Sequence, residues 1–137
     1  MVKRTARCGT VEVTADGEGL VSHAGTALLA ELADRTGLTD ALSEALAGTR
    51  ERLSAHDPGR VLIDVAVMLA DGGDCVTDLD AYRGQERLFG TLASETTTHR
   101  VLKSVDERLL GEIRAARARA RCRLWAAGAR LDTITLN

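Results

Sequence analysis

The sequence predicts a mainly α protein, a bundle of five or six helices with a short N-terminal β-hairpin. Of its 137 residues 45% are hydrophobic, which suffices for a core, but only 2% are aromatic. A core of Leu, Val, Ile and Ala suits packed helices better than a β-sandwich. The length fits one helical domain, which we place at residues 23–127, between an arm at residues 1–22 and a tail at residues 128–137.

The first elements follow from a change in hydrophobic period. Residues 10–14 alternate as a strand does, and residues 16–19 can turn the chain back toward Leu20 and Val21, which predicts the hairpin. From Ala24 the period becomes helical, and Gly37 follows where a left-handed C-cap is favoured. One apolar face of this first helix is expected from Leu28, Leu29, Leu32 and Ala33. A second short helix is expected over residues 39–47.

The third helix should be the buried centre of the bundle. Asp57 is placed to be its N-cap and Pro58 its first helical residue. After Arg60, the rest of residues 60–70 is apolar on every side except at Asp64, and glycines at 72 and 73 end the run. Asp74 is expected to cap the next helix.

Acidic residues follow this helix closely enough to raise the possibility of a metal site. They are Asp64, Asp71, Asp74, Asp78 and Asp80. Their spacing is not that of an EF-hand loop, which needs a glycine at its sixth position and a glutamate at its twelfth. Helix caps and solvated faces are therefore the favoured interpretation, and no metal ligand is assigned.

Two further helices are predicted from Ser94 onward. Residues 84–93 are expected to form a loop with Leu88, Phe89 and Gly90 as an apolar peg. Ser94 is a good N-cap, and Val101, Leu102 and Val105 should face inward. The stretch at residues 104–107 matches a capping box that starts at Ser104, which indicates a break before the last helix. Exposed first turns of the earlier helix should carry Thr97, Thr98, His99 and Arg100.

The last helix divides into an apolar stripe and two basic edges on a helical wheel. The stripe covers roughly 80° and contains Leu109, Ile113, Ala116, Ala120 and Leu124. One edge carries Arg114, Arg117 and Arg121. The other carries Arg108, Arg119 and Arg123, with Glu112 among them. Such a helix can lie on a core and still offer arginines to phosphates.

The charge is unevenly distributed along the chain, although the formal net charge is only −2. Residues 15–98 contain six basic and fifteen acidic residues, whereas residues 99–130 contain nine basic and three acidic ones. A polyanion could therefore bind only near the ends of the chain. The three cysteines lack a CxxC spacing, which disfavours a disulfide framework or a zinc site. No signal peptide or membrane span is apparent, so a cytoplasmic protein is expected.

The basic region has two interpretations that the residues alone leave open. In one it binds nucleic acid: Lys103, Arg114, Arg117 and Arg121 neutralise phosphates, while the short polar side chains at residues 97–100 meet base edges. In the other it is a solvated helix face. A small helix-turn-helix regulator is a weaker alternative, because the predicted loop before Ser94 has about nine residues instead of three or four.

Several segments together resemble a known family. They are EVTADGEGLVSHAG at residues 12–25, ADRTGL at 33–38, LADGGDCVTDLD at 69–80, YRGQERLFG at 82–90 and ASETTTHRVL at 93–102. This set is similar to the N-terminal region of bacterial insertion-sequence transposases of the DDE type, the subgroup called group 1. The similarity covers roughly residues 10–125.

The resemblance implies DNA transposition as the function. Members of the family cut and join DNA with three carboxylates that hold two Mg²⁺ ions, so magnesium is a cofactor of the full-length family and none is expected in this chain. Asp132 lies near the place of the first carboxylate, but residues 133–137 do not continue the family pattern. No catalytic residue is carried over, and we expect an inactive, truncated, DNA-binding fragment whose last residues are out of frame.

The partners that the resemblance implies are DNA with terminal inverted repeats, and a full-length transposase or a second copy of the chain. The alternative within the same family is a helical remnant with no DNA role, whose arginines are structural.

Overall fold

A computed structural model describes residues 23–49 and 55–128, and throughout these ranges the regular structure is helical. The mainly α prediction is confirmed. The helices are α1 (Ala27–Arg35), α2 (Leu38–Ala45), α3 (Pro58–Ala70), α4 (Glu86–Phe89), α5 (Glu95–Lys103) and α6 (Glu107–Ala126), with 3₁₀ turns at Ala24–Thr26, Ala47–Thr49 and Val76–Tyr82. The predicted hairpin and the tail from residue 129 onward lie outside the described residues.

The centre of the bundle is the pair α2 and α3. Helix α2 packs against both α3 and α6, and α3 also contacts α1, α5 and the Val76–Tyr82 turn. Leu46 and Met68 are almost completely buried at 0% and 1% exposure. Gly59 lies at the crossing of the two helices, where a β-carbon would stand only 2.2 Å from the backbone nitrogen of Ser43. The prediction that the third helix occupies the centre is confirmed.

Helix α1 packs through alanines, and of the expected apolar face only Ala33 is buried. Its buried residues are Ala27, Ala30 and Ala33. The leucines at positions 28, 29 and 32 are 42–50% exposed. On a helical wheel the three alanines and the three leucines lie on different sides of α1, so packing through the alanines turns the leucines outward. The predicted left-handed glycine after α1 is confirmed, since Gly37 has φ 71°.

The start of α3 follows local capping chemistry. The Asp57 carboxylate accepts a hydrogen bond from the Arg60 N–H at 3.0 Å, and Pro58 is the first helical residue, as predicted. The same carboxylate accepts from the Ser43 hydroxyl at 2.5 Å, which connects the cap to α2. The Asp57 carboxylate therefore both caps the start of α3 and holds it against α2.

The cap of the Val76–Tyr82 turn differs from the prediction. Cys75, and not Asp74, is the N-cap residue. The Asp78 carboxylate reaches back and accepts from the N–H groups of Asp74 at 2.9 Å and Cys75 at 3.1 Å. These hydrogen bonds favour the ionised form and lower the pKa of Asp78. The aspartate in the first turn thus accepts from the N–H groups of the N-cap residue and of the residue before it.

A polar cluster centred on Asp71 ties the first described residues to the end of α3. Its carboxylate accepts from the hydroxyls of Thr26 at 2.5 Å and Tyr82 at 2.7 Å, and it contacts Nδ1 of His23. The hydrogen bond from Thr26, followed by that from Tyr82, lowers the pKa of Asp71. Burial, followed by the bond to Asp71, raises the pKa of Tyr82.

The stretch expected to be a loop over residues 84–93 contains the single-turn helix α4. Phe89 is 3% exposed, and its ring centroid lies 4.7 Å from that of Tyr82, so the predicted apolar peg is present. Arg60 donates to the Phe89 carbonyl at 3.2 Å, which ties α4 to the start of α3. The peg is therefore held in a helical turn by a side chain distant in sequence.

The break between α5 and α6 is confirmed, but the predicted capping box is wrong. Asp106 is the N-cap of α6 and accepts from the Leu109 N–H at 2.8 Å. Ser104 instead ends α5, where its hydroxyl donates to the Val101 carbonyl at 2.7 Å. Asp106 can reach the first turn of α6 because its backbone is extended, whereas Ser104 still has helical backbone angles.

Helix α6 lies on α2 with the predicted stripe. Leu109, Ala116 and Ala120 are buried, while Ile113 and Leu124 are half-buried. No helix in the described ranges is long and apolar enough to cross a membrane.

Candidate nucleic-acid interface

The predicted contact residues of α5 are not all exposed, and Thr98 is buried where DNA cannot reach it. Ser94 caps the helix, as predicted, by accepting from the Thr97 N–H at 3.3 Å. Thr98 is 0% exposed, and its hydroxyl donates to the Ser94 carbonyl at 3.0 Å. The expectation that Thr98 projects from an exposed turn is therefore wrong. Four consecutive helical residues span about 300°, so one of them has to face the core.

The remaining predicted residues of α5 lie on its accessible side. His99, Arg100 and Lys103 are exposed, and Thr97 is half-buried. Nε2 of His99 lies 3.6 Å from a carboxylate oxygen of Glu95, one turn earlier. Any phosphate that approaches His99 therefore also meets a negative group, and this lowers the attraction at the start of α5.

One edge of α6 forms a row of exposed arginines. Arg114, Arg117 and Arg121 are all exposed, and none of the three makes an ion pair with a residue of the described ranges. We call these three side chains the arginine row. The rise of 1.5 Å per residue separates its ends by about 10 Å along the helix. All three were predicted from the sequence as phosphate contacts, and the structure brings them together on one side.

Two of the three arginines on the other edge of α6 are engaged by the protein itself, while Arg119 is exposed. Arg108 forms an ion pair with Glu112 one turn later. The guanidinium of Arg123 lies over the turn between α1 and α2, because a β-carbon on Gly37 would stand 2.3 Å from its Nη1. The two edges, equivalent on a helical wheel, are thus unequal in the folded chain.

Trp125 is the feature of this surface that the sequence analysis missed. Its side chain is 57% exposed near the end of α6, and the Arg121 guanidinium carbon lies 5.9 Å from the ring centroid. This distance is within the range of a cation–π contact. The helical wheel could have revealed it, because position 125 lies about 140° from the centre of the apolar stripe.

The acidic residues offer a weak case for a metal site. Donor atoms of Asp74, Cys75 and Asp78 lie within 4.8 Å of one another. The Asp78 carboxylate already accepts two backbone N–H groups, so this cluster serves as a cap. Asp71 is engaged instead by hydroxyls of residues distant in sequence, so it serves neither as a side-chain cap nor as part of a solvated face. Asp64 does not lie on a solvated face, because it is 8% exposed within α3.

Comparison with known proteins places the chain in a family. A family model described as Transposase DDE domain group 1 matches residues 3–129. No curated protein and no solved structure matches the chain. The matched range covers nearly all of the 137 residues, and it contains every segment on which the resemblance rests. The chain therefore belongs to the transposase DDE domain group 1 family.

Proposed function

We propose that the chain binds DNA during transposition through an exposed basic surface on α5 and α6. The residues proposed to contact DNA are His99, Arg100 and Lys103 on α5 and the arginine row on α6. The row carries the proposal, because its three guanidinium groups are exposed and make no ion pair with a described residue. Family membership supports a role in transposition, for which DNA is the substrate.

The geometry of the row suits a phosphate backbone. Its length of about 10 Å corresponds to about three phosphate spacings, at 3.4 Å per nucleotide of one strand along the duplex axis. Guanidinium groups bind phosphate oxygens through paired N–H donors and release condensed counterions when they do so. The row can therefore supply affinity that does not depend on base sequence.

Helix α5 is the proposed source of sequence preference. Thr97, His99 and Arg100 lie in its first turns, where short and polar side chains can meet base edges in a major groove. Thr98 is excluded from this role because it is fully buried. The terminal inverted repeats of a mobile element are the DNA that such a surface would select.

A comparison of two single substitutions on α6 tests the arginine row. Arg117→Ala and Arg108→Ala remove the same charge from the same helix, but Arg108 is paired with Glu112. Fluorescence polarisation with a labelled duplex at low salt should show a larger loss for Arg117→Ala. Equal losses would mean that only net charge matters, and the assignment of the row would be wrong.

A second comparison tests the role of α5 in sequence preference. His99→Ala and Thr97→Ala should reduce the ratio of affinities for inverted-repeat and scrambled duplexes. Thr98→Val is the matched control, since it changes a buried hydroxyl and should leave that ratio unchanged. An unchanged ratio for both exposed positions would contradict the assignment of α5.

Two alternatives make different predictions in these assays. A helical remnant with no DNA role would bind neither duplex at low salt. A small helix-turn-helix regulator is favoured by one observation, the three-residue connection between α5 and α6. In that case α6 would be the reading helix, and Arg114→Ala or Arg117→Ala would reduce sequence preference more than changes in α5 do.

A further inference from the structure

The chain's single tryptophan is placed differently from its other two aromatic residues. Tyr82 and Phe89 are 4% and 3% exposed, whereas Trp125 is 57% exposed. A buried indole contributes strongly to a hydrophobic core, and this one contributes little of that area. The exposed indole therefore adds little to the stability of the fold, and a binding role would explain its position.

Trp125 continues the side of α6 that carries the arginine row. At 100° per residue, positions 114, 117, 121 and 125 fall within about 80° of the helix circumference, and they span about 16 Å along the axis. Arg121 contacts the indole ring. A nucleic-acid strand that follows the arginine row therefore reaches the tryptophan at the end of α6.

The chemistry of this pair suits an unpaired base. Bases inside a duplex are covered on both faces by their neighbours, so an indole can stack only on a base that is unpaired or at a strand end. Aromatic side chains beside arginines are the usual means of holding single strands without sequence preference. Phosphates of such a strand would lie on the arginine row, while the base lies on the indole.

We propose that Trp125 and Arg121 form a stacking site for an unpaired base, so that the basic surface binds single-stranded DNA or unpaired DNA ends as well as duplex DNA. The proposal rests on the proposed function, because it uses the same arginine row. An apolar protein partner is less suited to this position, because burying the arginines beside the indole would cost desolvation.

Tryptophan fluorescence tests the stacking site directly, because the sequence contains one tryptophan. The full chain is titrated at low salt with an oligothymidylate, a blunt duplex and the same duplex with a short single-stranded overhang. Stacking should quench the emission with the oligothymidylate and the overhang, and much less with the blunt duplex.

Substitution completes the test. Trp125→Ala should weaken oligothymidylate binding, measured by polarisation of a labelled strand, by about 5- to 150-fold. Its affinity for blunt duplex should change by less than about twofold, and Trp125→Phe should recover part of the loss. Leu32→Ala is the control, since it removes another exposed apolar side chain from a different helix, α1. Circular dichroism verifies that each variant is folded.

The outcomes separate this inference from the proposed function. Binding of duplex and single strand without quenching, or with equal affinity for wild type and Trp125→Ala, would overturn the stacking site and leave duplex binding intact. Absence of binding to all three DNAs at low salt would overturn the proposed function, and the stacking site with it.

Discussion

Replacing Gly59 with alanine should force α3 away from α2. The new β-carbon would lie 2.2 Å from the Ser43 nitrogen and 2.6 Å from the Leu42 carbonyl carbon. Ordinary contacts of this kind begin near 3.4 Å. Because the opposing atoms belong to the backbone of α2, no side-chain rotation relieves the clash, and the helices have to separate by at least about 1 Å.

The cost can be worked from this displacement. Overpacking of a close contact costs about 1–3 kcal/mol. Separation of the helices also stretches the hydrogen bond between Ser43 and Asp57, which contributes about 1 kcal/mol. Alanine recovers less than about 1 kcal/mol through its better helix propensity. The expected loss is about 1–4 kcal/mol, a large share of the stability of a small domain.

Urea denaturation followed by far-ultraviolet circular dichroism measures this loss. The Gly59→Ala midpoint should fall without a change in the denaturant slope. Gly111→Ala is the matched control, because a β-carbon there meets no atom within 4 Å in the interior of α6. That change should stabilise the protein by about 0.4–1 kcal/mol. A Gly59→Ala variant as stable as wild type would refute the close approach of α2 and α3.

Two other predictions concern the caps and the acid response. Asp106→Ala should lower the free energy of unfolding by about 0.5–2 kcal/mol in the same denaturation assay, whereas Ser104→Ala should change it by less than about 0.5 kcal/mol. A larger loss for Ser104→Ala than for Asp106→Ala would show that Ser104 caps α6 after all. The lowered pKa of Asp71 means that its carboxylate stabilises the fold above its ordinary value of 3.8, and this contribution is lost as the pH falls through the lowered pKa. Denaturation at neutral pH and at successively lower pH values should therefore show a steeper acid loss for wild type than for Asp71→Asn, and parallel curves would contradict the Asp71 cluster.

Local chemistry explains which parts of the fold the sequence could predict. The caps at Asp57 and Ser94 and the turn at Gly37 depend on residues a few positions apart, so their signals are readable in the chain. The buried face of α1 depends instead on what the helix packs against. Hydrophobicity alone predicted an apolar face made mainly of its leucines, whereas the residues that α1 buries in the fold are alanines.

In the candidate interface, too, the features set by helical periodicity could be predicted from the sequence, and those set by packing between helices could not. A helical wheel was enough to place Arg114, Arg117 and Arg121 on one edge of α6. It could not show that Arg123 covers Gly37, because that contact depends on the packing of α6 near the turn after α1. The helical wheel also could not show that Thr98 is buried. The first turn of α5 carries short polar residues on more than one side, so the sequence does not mark which side faces the core.

The salt dependence of DNA binding tests the central claim most directly. Affinity for a duplex of the terminal inverted repeat is measured over a series of salt concentrations, for wild type and for the double variant Arg117→Ala with Arg121→Ala. Wild type should bind at low salt, and the slope of log affinity against log salt should be shallower by about two in the variant, since each lost phosphate contact removes about 0.9. An unchanged slope, or no binding at low salt, would contradict the account.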